Sequence, residues 1–246
     1  MDKKDYLQTI AANSEQFAAA VRSAGYDARV PTCPEWTVTN LVEHMSGVHR
    51  WVTMLFELEA RSMPNRDEVP RPPEGTDWLE WFESGVPGLL ALLEQAGPDF
   101  PIWNWQAGGP ADSSFWPRRM AHEVIIHRAD AESAAGRASV VEPAEMAADG
   151  IDEFLGFLDL RGRYAEEGLG LEGTFHFHAT DTPGEWLVEI TPEAVTVRRE
   201  HAKAPVAVRG PAGELELFLY NRGPAGGLEI LGDAALMDAW RDRIRF

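Results

Sequence analysis

Two apolar stripes at helical spacing constrain this chain most, because metal-binding side chains interrupt each of them. Leu41, Met45, Val48, Val52 and Leu55 mark the first stripe, and His44 falls on the same face. Met120, Val124, Ala131 and Ala134 mark the second, with Glu123 and His127 four residues apart inside it. A helix advances about 100° per residue, so an i,i+4 pair points one way. Two such helices packed together would aim two imidazoles and a carboxylate at one interior point. Burying an unpaired carboxylate there is costly, and a divalent cation offsets the cost. Two histidines and a glutamate with an open fourth position form a known catalytic zinc set. The pattern predicts a metal enzyme with zinc on His44, Glu123 and His127. Taken alone, Glu123 and His127 also fit a buried hydrogen-bonded pair, and His44 in register tips the balance toward metal.

The period of the apolar positions then changes along the chain. Up to about residue 163 it is helical, with helices expected over residues 3–24, 37–60, 77–95, 114–136 and 143–162. Thr37 can cap the second helix, and Pro117 sits in the first turn of the fourth, where its missing N–H does no harm. Residues 63–75 and 97–112 are rich in Pro and Gly and read as loops, the second long enough to suggest a functional role. After Gly173 short alternating runs predict strands over 174–178, 186–190, 194–197 and 228–231, with helices over 211–220 and at the C-terminal end. The expected fold is α+β: a four- or five-helix bundle over residues 1–163, then a small α+β domain over 164–246.

Composition narrows the function. A net charge of −18 disfavours nucleic acid and anionic membrane surfaces, both of which need Lys and Arg. A small anionic substrate would need a locally placed arginine. Cys33 is the one cysteine, so an intramolecular disulfide framework is excluded. No signal-peptide pattern and no apolar run of about 20 residues is present, which predicts a cytoplasmic protein.

Other motifs carry less. His122 and His127 are five apart, roughly 140° around a helix, so they do not form the i,i+4 pair of an H-E-x-x-H site. Gly168, Gly170 and Gly173 match G-x-G-x-x-G formally, but a strand rather than a helix follows, and the run reads as an interdomain turn. His176 and His178 alternate on one strand face and could hold a metal, although exposed strand histidines between core phenylalanines are commoner. Cys33 reads as a structural cysteine, with no basic neighbour to activate it.

The run Val30-Pro31-Thr32-Cys33-Pro34-Glu35-Trp36-Thr37-Val38 with Leu41-Val42-Glu43-His44-Met45 resembles the mycothiol-dependent maleylpyruvate isomerase family. That family is a branch of the DinB-like metal-binding bundles. The stretch from Ala121-His122-Glu123 to His127-Arg128-Ala129-Asp130-Ala131-Glu132 is similar to its second signature. Val208-Arg209-Gly210-Pro211, Leu217-Phe218-Leu219-Tyr220-Asn221-Arg222 and Leu231-Gly232-Asp233 resemble its C-terminal domain, which is sterol-carrier-like. One departure is Glu35, where relatives often carry glycine.

The resemblance implies zinc on His44, Glu123 and His127, and a catalytic role for Arg222. It implies mycothiol as thiol cosubstrate: the thiolate adds to an activated double bond, and rotation and elimination give isomerisation. Two alternatives stay open, a mycothiol S-transferase acting on electrophiles and a non-catalytic metal-containing binding protein. The expected partners are a small-molecule thiol and an electrophilic, anionic substrate, without nucleic acid or membrane.

Overall fold

A computed structural model describes residues 1–106, 111–164, 169–223 and 226–245. The chain forms two compact units, Met1–Ser139 and Val140–Phe246. Among the described residues the first unit contains four long helices, α1 (Lys3–Ala24), α2 (Val38–Glu57), α3 (Trp78–Gln95) and α4 (Phe115–Ala134). Their starts follow from local chemistry. Asp2 and Asp5 accept each other's backbone N–H at 2.9 and 2.8 Å, a capping box that opens α1. Asn40 accepts from the Thr37 N–H at 3.0 Å at the head of α2. The Asp77 carboxylate accepts from Leu79 and Glu80 N–H to start α3.

Of the predicted apolar stripes, Leu41, Met45, Val52, Leu55, Met120, Val124 and Ala131 are all at most 1% exposed, while Val48 and Ala134 are partly buried. One cluster joins Phe17, Val21, Leu41, Met45, Phe82 and Val124; a second joins Trp51, Leu55, Leu89, Trp116 and Met120. Each such side chain contributes roughly 1.5–3 kcal/mol on burial. The described part of the 97–112 loop folds back on the second cluster. Trp103 N–H donates to Ala60 O at 2.8 Å, and Trp116 Nε1 donates to Trp103 O at 3.1 Å. Residues 107–110 of that loop lie outside the described residues.

The second unit holds α5 (Ala144–Tyr164), β1 (Gly173–Ala179), β2 (Glu185–Ile190), β3 (Val195–Arg198), β4 (Val206–Gly210), α6 (Ala212–Leu219), β5 (Glu229–Gly232) and α7 (Ala234–Arg243). The strands form one sheet in the order β3-β2-β1-β4-β5. β1 pairs antiparallel with β2 and parallel with β4, and both outer pairs are antiparallel. Phe175 and Phe177 are fully buried against Trp240 of α7, with ring centroids 4.7 and 5.1 Å apart. The overall α+β class is the one the sequence predicts.

Three details differ from the sequence expectation. Helix α5, expected in the bundle with a division at 163/164, packs on α6 and β3, and the units divide after Ser139. Its buried Ile151, Phe154, Leu155 and Leu158 define an apolar face, but helical periodicity does not say which partner that face meets. Strand β4 was not expected, because its five residues run straight into Pro211, which begins the next helix. His176, expected to be exposed, is 5% exposed. Of the Gly168–Gly173 glycine run, Gly168 lies outside the described residues, and Gly170 turns through φ 64° just before β1. No helix among the described residues is long and apolar enough to cross a membrane.

Candidate metal centre

Helices α2 and α4 pack together in the first unit, and their interrupted stripes meet. His44 projects from α2, and Glu123 and His127 project from successive turns of α4. His44 Nε2 lies 3.1 Å from Glu123 Oε1, and His127 Nε2 lies 3.5 Å from the same oxygen. The two imidazole centroids are 4.7 Å apart, and one ligand atom from each of the three residues lies within 4.8 Å of the others. The side chains are 33%, 18% and 11% exposed for His44, Glu123 and His127, so the cluster is shielded yet reachable from solvent.

The surrounding residues orient each donor. Asp130 Oδ2 lies 2.8 Å from His127 Nδ1, which leaves His127 Nε2 facing the cluster. Asp130 is fully buried; its Oδ1 accepts from the Thr32 hydroxyl, and the Cys33 thiol lies 3.8 Å from its Oδ2. Arg119 Nη2 donates to Glu123 Oε2 at 2.7 Å, so the carboxylate offers Oε1 to the imidazoles. Trp36 lies nearly parallel to the His127 ring at 6.3 Å between centroids, and 5.1 Å from that of His44.

This setting separates the charges. Burial pushes the Glu123 carboxyl up, but Arg119 beside it and the two histidines hold it well below the usual carboxylate range. Burial pushes His127 down, yet the Asp130 and Glu123 carboxylates raise it to about 9. A cation held here would take the place of that proton.

All three ligands expected from the sequence therefore converge. Asp130 and Arg119 were missed, though His127/Asp130 at i,i+3 and Arg119/Glu123 at i,i+4 were visible spacings. Thr32, Cys33 and Trp36 belong to the loop before α2, and no helical period could place them. His122 points elsewhere, fully buried with its ring 6.3 Å from that of Tyr6. Arg222 follows α6 in the second unit, where its Nη1 donates to Tyr220 O at 2.7 Å and its N–H to Leu217 O at 2.7 Å. It sits at a helix C-terminal end, as expected, and Asn221 before it adopts φ 60°.

Comparison with known proteins agrees with this architecture. The family profile described as "Mycothiol maleylpyruvate isomerase N-terminal domain" matches residues 7–132, and the "MDMPI C-terminal domain" matches residues 145–239. Two crystal structures, of the mycothiol-dependent maleylpyruvate isomerase and of its histidine-to-alanine mutant, superpose with TM-scores of 0.62 and 0.63. Each is 14% identical and aligns over 94% of this chain and 93% of its own, a likeness that shows the fold. No curated protein sequence matches the chain. With one profile on the helical bundle and the other on the sheet unit, the chain belongs to the mycothiol-dependent maleylpyruvate isomerase family, enzymes of the isomerase and thiol-transferase type.

Proposed function

We propose that this chain is a metal-dependent, mycothiol-dependent isomerase of the maleylpyruvate isomerase type. The observation that carries the reading is the convergence of His44, Glu123 and His127 with a buried carboxylate behind one imidazole. That donor set fits a divalent cation: two neutral-capable imidazoles, one ionised carboxylate oxygen, and a carboxylate–histidine pair of the kind that orients metal-bound imidazoles. Zinc is the first choice, while nickel and iron also accept such ligands. When bound, the cation would keep a thiol as the thiolate at neutral pH.

The chain's own residues define the rest. Asp130 fixes the His127 tautomer, Arg119 turns one Glu123 oxygen toward the imidazoles, and Trp36 covers both rings. Mycothiol, as cosubstrate, would supply a sulfur that adds reversibly to an activated double bond, so that rotation and expulsion isomerise it. Arg222 is the proposed anion-binding group, since its guanidinium offers a bidentate fork to a substrate carboxylate on a chain of net charge −18.

The test is a screen of electron-poor alkenes with and without mycothiol, read by mass spectrometry for isomers and adducts. Isomers that form only with mycothiol support the proposal. Full turnover without any thiol overturns it. Thiol-dependent adducts in place of isomers identify a transferase, and binding without turnover identifies a carrier.

A further inference from the structure

A second group of metal-ligating side chains lies wholly within the sheet unit. Because residues alternate along β1, the inward Phe175 and Phe177 leave His176 and His178 together on the opposite face. Glu185 of β2 stands directly across the ladder from His178, which puts its side chain on the same face. His201 lies in the segment between β3 and β4, and its Nδ1 comes to 2.6 Å from Glu185 Oε2.

One carboxylate is thus shared among three imidazoles. Besides the His201 contact, Glu185 Oε2 is 3.5 Å from His176 Nε2 and Oε1 is 3.4 Å from His178 Nε2. The ring of His201 is 5.6 Å from that of His176 and 6.4 Å from that of His178. His176 Nε2 is buried and has no hydrogen bond among the described residues. A buried donor or acceptor aimed at a cluster without a bond is an uncommon arrangement that an ion satisfies. Donors arranged tetrahedrally at about 2.1 Å from zinc stand roughly 3.4 Å apart, which the Glu185 distances to His176 and His178 match, while His201 at 2.6 Å would have to draw back.

We propose that His176, His178, Glu185 and His201 form a second cation site, for zinc or a similar borderline divalent metal. Glu185, His176 and His201 already hold ligand atoms within 4.8 Å of one another, and His178 stands beside them as the fourth donor. Four protein ligands close the coordination sphere, which is the pattern of a structural rather than a catalytic metal. The ion would clip the crossover between β3 and β4 to the β1–β2 hairpin. The alternative is an ion-pair cluster centred on Glu185 with no metal affinity.

The experiment uses the full chain with His44→Ala, which disables the bundle site, stripped of metal and titrated with zinc against a chromophoric chelator. One tightly held equivalent should remain, and zinc should raise the melting temperature of this protein. Adding His201→Ala should weaken that equivalent more than about 100-fold, beyond the roughly 10–100-fold losses of groups that merely support ligands. The His201 side chain is 80% exposed, so its removal leaves the fold intact, and circular dichroism checks this. His178→Ala on the same background is the second arm. The proposal is overturned if the His44→Ala chain holds no zinc equivalent, or holds one that neither His201→Ala nor His178→Ala weakens.

Discussion

Asp130 places Oδ2 2.8 Å from Nδ1 of His127 while a hydroxyl from the loop before α2 holds its other oxygen. A buried aspartate could be a cost without return. Here it fixes which imidazole nitrogen faces the cluster, and it raises the basicity of that nitrogen. Asp130→Asn keeps the shape and removes the charge. Metal affinity should fall by about 10–100-fold with the fold retained. Chelator competition measures this, and an unchanged affinity would remove Asp130 from the site.

Of the three converging residues proposed to hold the metal, His44 is the one that α2 supplies. His44→Ala should leave Glu123 and His127 in place but abolish tight binding there. Metal at 100 times its dissociation constant adds about 2.7 kcal/mol. For units of this size that is roughly 5–10 °C of melting temperature. In wild-type protein, stripping the bundle metal should produce a drop of that order. A bundle site that keeps its zinc in His44→Ala, with the sheet histidines also removed, would refute the assignment.

His49 gives a pH dependence. Its ring is fully buried 4.9 Å from that of Phe82, neither ring nitrogen has a hydrogen bond among the described residues, and burial pushes it down to about 4. The unfolded chain takes up this proton near pH 6.5, whereas the folded chain does so only near pH 4. Unfolding therefore binds a proton across that window, and stability falls as pH drops through it. The loss attributable to His49 is on the order of 3 kcal/mol. His49→Phe should flatten urea-derived stability between pH 6.5 and 4; a slope identical to wild type would contradict the assignment.

Arg222→Lys tests the proposed anion fork. The charge stays and the paired donors go. Turnover on a carboxylate substrate should drop at least about tenfold, the cost of a weakened charged hydrogen bond, while elemental analysis finds the metal content unchanged. Equal turnover would reduce Arg222 to capping the end of α6.

The residues explain which parts of this architecture were legible in the sequence. Helix starts were readable because Asp2, Thr37 and Asp77 act on their own neighbours, a local chemistry. The convergence of His44, Glu123 and His127 was readable because each broke a stripe that had to be buried. Partnership was not readable: the apolar face of α5 does not encode whether a bundle or α6 and β3 will cover it. The burial of His176 was equally hidden, since its neighbours Glu185 of β2 and His201 after β3 come from other parts of the sequence. Loop residues such as Thr32, which reaches Asp130 across 98 positions of sequence, lack any periodic signal.

The parallel pairing of β1 with β4 sets an order of events in time. β1, β2 and β3 form a meander whose partners are near in sequence, so closing it is fast. β4 joins only after the chain has returned past two strands to align Val206 with Phe175, and β5 joins after that on the far edge. The loop entropy of that return is lost before any ladder bond of β4 is gained. In pulse-labelled hydrogen exchange during refolding, β1–β2 amides should be protected ahead of those in β4–β5. Until then β1 presents a bare edge, and crowded refolding should fail at that edge first, through pairing with another chain.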